Sequence, residues 1–184
     1  MLSTYARSAT LASLFREACL RPSDIHEHLW ILNALAALVP HVTEMGSRSG
    51  VSTTALLSAR PKKLVCYDLY QSQEIAHLMT LAPPTEMVFR QESTLEAVIE
   101  PTSLLLIDTL HTFDQLSVEL ERHAAHVLHF IALHDTTTFG DAGEAPGHVG
   151  LWPAVMEYLG EHREWQIAER LQNNNGLTIL ERVG

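Results

Sequence analysis

Short apolar runs recur along the chain at 41–45, 63–67, 87–90, 103–107 and 129–133, and each is followed by a polar turn and a segment of helical spacing. Such runs are too short for helices and lack the alternation of a strand with one wet face. They predict strands covered on both sides, which in a strand-helix alternation means a parallel sheet with right-handed crossovers. Before the first run, 3–19 and 25–38 read as helices, the second from Ile25, Leu29, Leu32, Ala36 and Val39, with Pro22 between them and Pro40 as a stop. Between the fourth and fifth runs, Leu116, Leu120, Ala124 and Val127 form one stripe of a helix that packs on the sheet. After a helix near 151–160, "WQIAER" and "LTILER" flank "NNNG", and an Asn-Gly turn between two apolar runs predicts a hairpin. The expected fold is α/β: a doubly wound, mostly parallel seven-stranded sheet that ends in an antiparallel pair and is preceded by two helices.

Composition narrows this further. A chain of 184 residues that is 46% hydrophobic fits one domain, 1–184, with a helical cap at 1–38 and a core at 40–183. The formal charge of -10 and only 12 dispersed Lys and Arg argue against a phosphate-backbone partner, so neither nucleic acid nor an anionic membrane is expected. Cys19 and Cys66 are too few for a disulfide framework and read as buried thiols of a cytoplasmic protein. The first residues lack the continuous apolar centre of a signal peptide, and no run has the length of a membrane span.

The chemistry concentrates in "VTEMGSRSGVSTTALLS", residues 42–58. Gly46 and Gly50 mark a turn that bends tightly or is approached closely; the simplest alternative is a strand-to-helix turn capped by Ser49 or Ser52. In an open parallel sheet, ligands sit beyond the carboxyl ends of the strands where the strand order reverses, and the turn after the first strand commonly lies there. The glycines are four apart, unlike a dinucleotide fingerprint, and no Gly-Lys-Ser/Thr is present, so phosphate binding is disfavoured. The loop 134–150, rich in Gly, Thr and Asp, has the length of a binding loop. His123, His126 and His129, three apart, drift around a helix and read as solvated or core-edge imidazoles, and Trp152 and Trp165 read as core or pocket-wall aromatics.

Glu-x-Gly-x-x-x-Gly-x-Ser at 44–52 resembles the first motif of class I S-adenosylmethionine-dependent methyltransferases, which have a Rossmann-like fold. "IDTLHTF" at 107–113 and "LHDT" at 133–136 resemble the small-molecule O-methyltransferase branch that is itself similar to cephalosporin hydroxylases. The resemblance covers about residues 40–183. It implies S-adenosylmethionine held by Glu44, Gly46, Ser47, Gly50 and Ser52 at its amino-acid end, by Asp68 and Leu69 at the ribose, by Glu92 and Ser93 at the base, and by Asp108. It places Asp108 and Asp135 on neighbouring strand ends, where their oxygens suit Mg²⁺. His111 or His134, beside Asp135, would then remove the acceptor's proton. Two departures stand out. Thr109 and Leu110 replace a usual Gly and acidic residue, and no Pro-Gly-Gly precedes the fifth strand. The implied reaction is methyl transfer to a hydroxyl of a small molecule such as a sugar or secondary metabolite. A redox-metal hydroxylase of the same fold and a donor-binding protein without catalysis are the competing readings. The apolar stripes of 1–38 permit a pocket cap or a homodimer interface.

Overall fold

Strand β4 (Thr102–Ile107) is buried along its whole length, as expected of "TSLLLI" at the centre of a sheet with both faces covered. In the computed structural model, which describes residues 10–183, β4 lies between β1 (His41–Met45) and β5 (Val127–His134), and the sheet order is β3-β2-β1-β4-β5-β7-β6. Strands β2 (Lys63–Asp68) and β3 (Glu86–Gln91) continue the parallel side, while β7 (Leu177–Arg182) runs antiparallel between β5 and β6 (Trp165–Leu171). The expected seven-stranded α/β sheet with its terminal hairpin is therefore what the chain forms. The edge strands are the least buried, and β3 and β6 accordingly expose Glu86, Arg90, Glu169 and Arg170 to solvent.

Alternate residues of each central strand enter different cores. Val42, Leu64, Cys66, Leu104 and Leu106 pack against α1 (Leu11–Leu20), α2 (Leu29–Ala37), α3 (Val51–Ser58) and α4 (Gln73–Leu81). Met45, Val65, Tyr67, Leu105 and Ile107 face α5 (Phe113–His123) and α6 (Leu151–Glu161). The period-two alternation divides an all-apolar strand between two layers of helices. Of the stripe expected on one helix, Leu116 and Leu120 lie on α5, whereas Ala124 falls in the 3-10 turn that follows and Val127 opens β5, and all four are buried.

Several local expectations change. Of the helix expected over 3–19, the part before residue 10 lies outside the described residues, and the rest is α1. The second helix opens with a 3-10 turn at His26–His28 before α2, which buries His28. Neither Ser49 nor Ser52 caps α3: its N-cap is Gly50, in the left-handed region at φ 76° and without a side-chain cap. Cys66 is buried, whereas Cys19 is half-buried. His123 is fully inside, bonded through Nε2 to the Thr94 carbonyl at 2.8 Å. Among the described residues no helix is long and apolar enough to cross a membrane.

The Asn-Gly hairpin turn has a tertiary role as well. The Asn174 side chain accepts from the Glu27 N–H and donates to the Ser23 carbonyl, each at 2.8 Å, while the Asn175 carbonyl accepts from Thr137 and Thr138 N–H. One tight turn thus ties the N-terminal segment to the loop that follows β5.

Candidate active site

Crossovers leave β1 and β4 in opposite directions, so the chain diverges at their carboxyl ends and opens a crevice there. It holds about 530 Å³, ample for a nucleoside-sized ligand. Gly46, Arg48, Asp68, Leu69, Ser93 and Asp108 are among the residues that line it. Glu92, Thr94, Leu95, Thr109, Leu110 and Gln115 complete the far side. A smaller polar annex continues past Gly46 between Asp24, Ser47, Arg48, Ser52 and Asp108.

The glycine turn forms the floor, and its lack of side chains is explained first by the protein's own atoms. A Cβ on Gly46 would lie 1.9 Å from the Asp108 carbonyl oxygen, so β1 and β4 approach there with no room for a side chain. The Gly46 N–H donates to the Tyr67 carbonyl at 2.9 Å, and its φ of 83° is glycine territory. Gly50 turns away from the crevice: a Cβ there would meet Leu78 and Ile75 of α4 at 3.0 and 3.2 Å. Its smallness serves helix packing.

Glu44 is likewise not a wall of the crevice. It is fully buried under the turn, where Ser52 Oγ and Thr53 Oγ1 each donate to one of its carboxylate oxygens at 2.6 Å. Burial pushes its pKa up to about 7, although both hydroxyls favour the charged form. Glu44 acts on the site by orienting Ser52 and the first turn of α3. Ser47 and Ser52 line the annex, Leu69 is an exposed rim residue, and Glu92 and Ser93 end β3 on the far wall.

Asp68 does not stand as an isolated surface acid. Its Oδ2 accepts from the backbone N–H of Ser47 at 2.9 Å and of Arg48 at 2.8 Å, bracing the glycine turn across from β2. Its Oδ1 receives only Tyr70 N–H at 3.3 Å. Arg48 holds a left-handed φ of 44° and pairs with Asp24 of the N-terminal segment at 2.5 Å. Sequence reasoning passed over Arg48 and Asp24, although an arginine inside the glycine turn was visible.

Beyond the crevice, the ends of β4 and β5 converge as adjacent strands must. His111 Nε2 is 2.8 Å from Asp135 Oδ2 and 3.3 Å from Asp108 Oδ1, and its Nδ1 is 2.9 Å from Glu144 Oε2. His134 Nδ1 lies 3.4 Å from both Asp108 Oδ1 and Asp135 Oδ2. Burial works against protons on these rings, but the two carboxylates more than reverse it, raising His111 to about 10 and His134 to about 9. Burial likewise opposes ionisation of Asp108 and Asp135, yet the imidazolium partners hold both below the ordinary carboxylate range. Asp135 takes a left-handed φ of 61°, a conformation Asp tolerates and one common at functional sites. The loop 134–150 is tied to this cluster, because the His111 carbonyl accepts from Glu144 N–H and the Val149 carbonyl accepts from Phe113 N–H.

Oxygens and nitrogens of Asp108, His111 and Asp135 lie within 4.8 Å of one another. Asp135 Oδ1 is buried with no hydrogen-bond partner among the described residues, and the hard oxygen donors match a hard divalent cation. The donor set therefore fits Mg²⁺. A second network escaped the sequence reading. Glu119 of α5 is fully buried and accepts from Thr94 Oγ1 at 2.5 Å, Gln115 Nε2 at 2.7 Å and Thr109 Oγ1 at 2.8 Å. Burial raises its pKa against those three donors. Its place between Leu116 and Leu120 on the inward stripe was the available signal.

Solved structures share this architecture at low identity. A 1,6-didemethyltoxoflavin-N1-methyltransferase of Burkholderia thailandensis, with its substrate and S-adenosylhomocysteine bound, superposes with a TM-score of 0.67 at 16% identity over 92% of this chain and 82% of that one. NodS, an N-methyltransferase of Bradyrhizobium japonicum, in complex with S-adenosylhomocysteine gives 0.63 at 16% identity over 95% and 98%. A Staphylococcus aureus protein assigned by name to the caffeoyl-CoA O-methyltransferases gives 0.68 at 16% over 96% and 93%. No protein-family model and no curated protein matches the sequence. The chain has the fold of these methyltransferases.

Proposed function

We propose that the protein transfers a methyl group from S-adenosylmethionine to a hydroxyl of a small molecule. The observation that carries this reading is the open crevice at the strand-order reversal, floored by the bare turn at Gly46 and bounded by Asp68 on β2 and Asp108 on β4. Such a crevice has a charged pole and a nucleoside-sized pole. Asp68 Oδ1, which accepts from Tyr70 N–H alone among the described residues, would accept from the ribose hydroxyls, and Leu69 and Leu95 would offer apolar contact to the base. The zwitterionic end enters the annex, with Arg48 and Ser52 toward the carboxylate and Asp24 and Asp108 toward the ammonium. The fold neighbours that carry S-adenosylhomocysteine support this choice of ligand.

A sulfonium needs little activation because its leaving group is a neutral thioether. The chain's contribution is alignment of nucleophile, methyl and sulfur, together with a destination for the acceptor's proton. His111, held by Asp108 and Asp135 beside the crevice, is placed to receive that proton in its neutral form, which the two carboxylates disfavour until the pH approaches its raised pKa of about 10, so turnover should rise with pH. Asp108 and Asp135 would hold Mg²⁺. When bound, the ion supplies positive charge that orients an acceptor hydroxyl and lowers its pKa. The test is calorimetric titration with S-adenosylmethionine and S-adenosylhomocysteine, where micromolar binding is expected. Binding of a nicotinamide dinucleotide in place of both would overturn the reading.

A further inference from the structure

Gln115 stands at the first turn of α5 on the crevice wall, beside Thr94, Leu95 and Thr109. Its amide is held from behind. Nε2 donates to Glu119 Oε1 at 2.7 Å and lies 3.3 Å from Thr94 Oγ1, and both partners are buried. Glu119 already accepts from Thr94 and Thr109, so its oxygens take donors on every side that the network offers. Turning the Gln115 amide over would set its oxygen against a carboxylate. Among the described residues Oε1 has no hydrogen-bond partner, and Gln115 lines the crevice, so this oxygen is a fixed acceptor available to a ligand there.

From this geometry we propose that Gln115 is the residue that selects the nucleobase: its Oε1 accepts a hydrogen bond from the exocyclic amino group of a 6-aminopurine, and Glu119 is the positioning residue that forbids the opposite amide orientation. A 6-oxopurine would present its O6 acceptor to this acceptor, and reaching Oε1 with its N1–H instead would require the base to shift, at a cost in affinity. The proposal rests on the donor reading above and adds the group that distinguishes adenosyl from inosyl compounds. Sites built to hydrogen-bond a ligand discriminate strongly against analogues that cannot complete the bond.

The test is isothermal calorimetry with S-adenosylhomocysteine and S-inosylhomocysteine on the 184-residue chain. The wild-type protein is expected to bind the adenosyl compound at least ~10-fold more tightly. In Gln115→Ala the ratio should fall to within about threefold through weaker adenosyl binding, as one hydrogen bond is lost. In Glu119→Gln the ratio should also fall, but through tighter inosyl binding, because an amide at 119 can donate to Oε1 and lets Gln115 turn over. A purely structural role for Glu119 would weaken both compounds alike. Equal wild-type affinities, a measurement that needs no variant, would overturn the proposal while leaving the donor reading intact; so would an unchanged ratio in a folded Gln115→Ala. If neither compound binds, the donor reading falls and this inference with it.

Discussion

Removing the Asp68 carboxylate separates its two roles. In the protein alone, Oδ2 takes two backbone N–H groups of the glycine turn, at 2.9 and 2.8 Å. Hydrogen bonds to a charged group are each worth about 1.5–3 kcal/mol when shielded, and less where water competes, as it does at Arg48. Asp68→Ala should therefore lower stability by about 2 kcal/mol, equivalent to roughly 4–8 °C in Tm for a chain of this size. Oδ1, which takes the Tyr70 N–H at 3.3 Å and has lone-pair capacity to spare, gives the second role. If it accepts from ribose hydroxyls, the same variant loses about 1.5–3 kcal/mol of binding, or roughly 10- to 100-fold in Kd for S-adenosylhomocysteine. Asp68→Asn distinguishes the two, since its one oxygen can still receive both turn amides while the acceptor facing the ribose becomes a donor. Thermal melts and calorimetry on both variants decide the matter: Asn should keep most of the Tm and lose part of the affinity, whereas Ala should lose both. A folded Asp68→Ala with wild-type affinity would refute the placement of the nucleoside.

Other outcomes follow from the same geometry. Arg48→Ala should weaken S-adenosylhomocysteine about 10-fold and leave 5′-methylthioadenosine, which lacks the amino-acid end, unchanged; equal losses would remove Arg48 from the annex. Gly46→Ala should cost about 3 kcal/mol or more in a urea melt, because its Cβ would lie 1.9 Å from a β4 carbonyl and the strands would have to part. Glu44, whose folded pKa is raised from 4.5 to about 7, binds its proton more tightly in the native state, so wild-type stability should fall as pH rises from 4.5 through 7, by at most about 3 kcal/mol. Glu44→Gln should flatten that difference, and parallel pH curves for the two proteins would show that Glu44 titrates normally. Mg²⁺ binding should release protons and strengthen as pH rises, since the ion competes with protons on His111 and His134; calorimetry in buffers of different ionisation enthalpy checks it, and proton-neutral binding would count against the Asp108 and Asp135 site.

The strands were legible because a double-sided core demands unbroken apolar runs, and Asn174–Gly176 marked the hairpin for reasons of backbone conformation alone. Meeting points were harder. Asp108, His111 and Asp135 are brought within 4.8 Å by the pairing of β4 with β5, which residue spacing does not encode. Glu44 illustrates the opposite difficulty: its position in the motif suggested contact with ligand, but the strand pleat points it into the interior, where hydroxyls from α3 satisfy it. Asp24 and His28 come from a segment whose docking depends on Asn174, about 150 residues away along the chain, and no local pattern announces a contact of that kind.

The meeting of Gly46 with the Asp108 carbonyl joins the two halves of the crevice main chain to main chain. Spacing between the crevice floor and the Asp108, His111 and Asp135 cluster is consequently fixed by covalent geometry and strand pairing rather than by the rotamer of any side chain. Under the proposed reaction, Leu110 and the exposed positions of the loop after Asp135 could be exchanged to alter acceptor preference while His111, His134 and Asp135 stay in place.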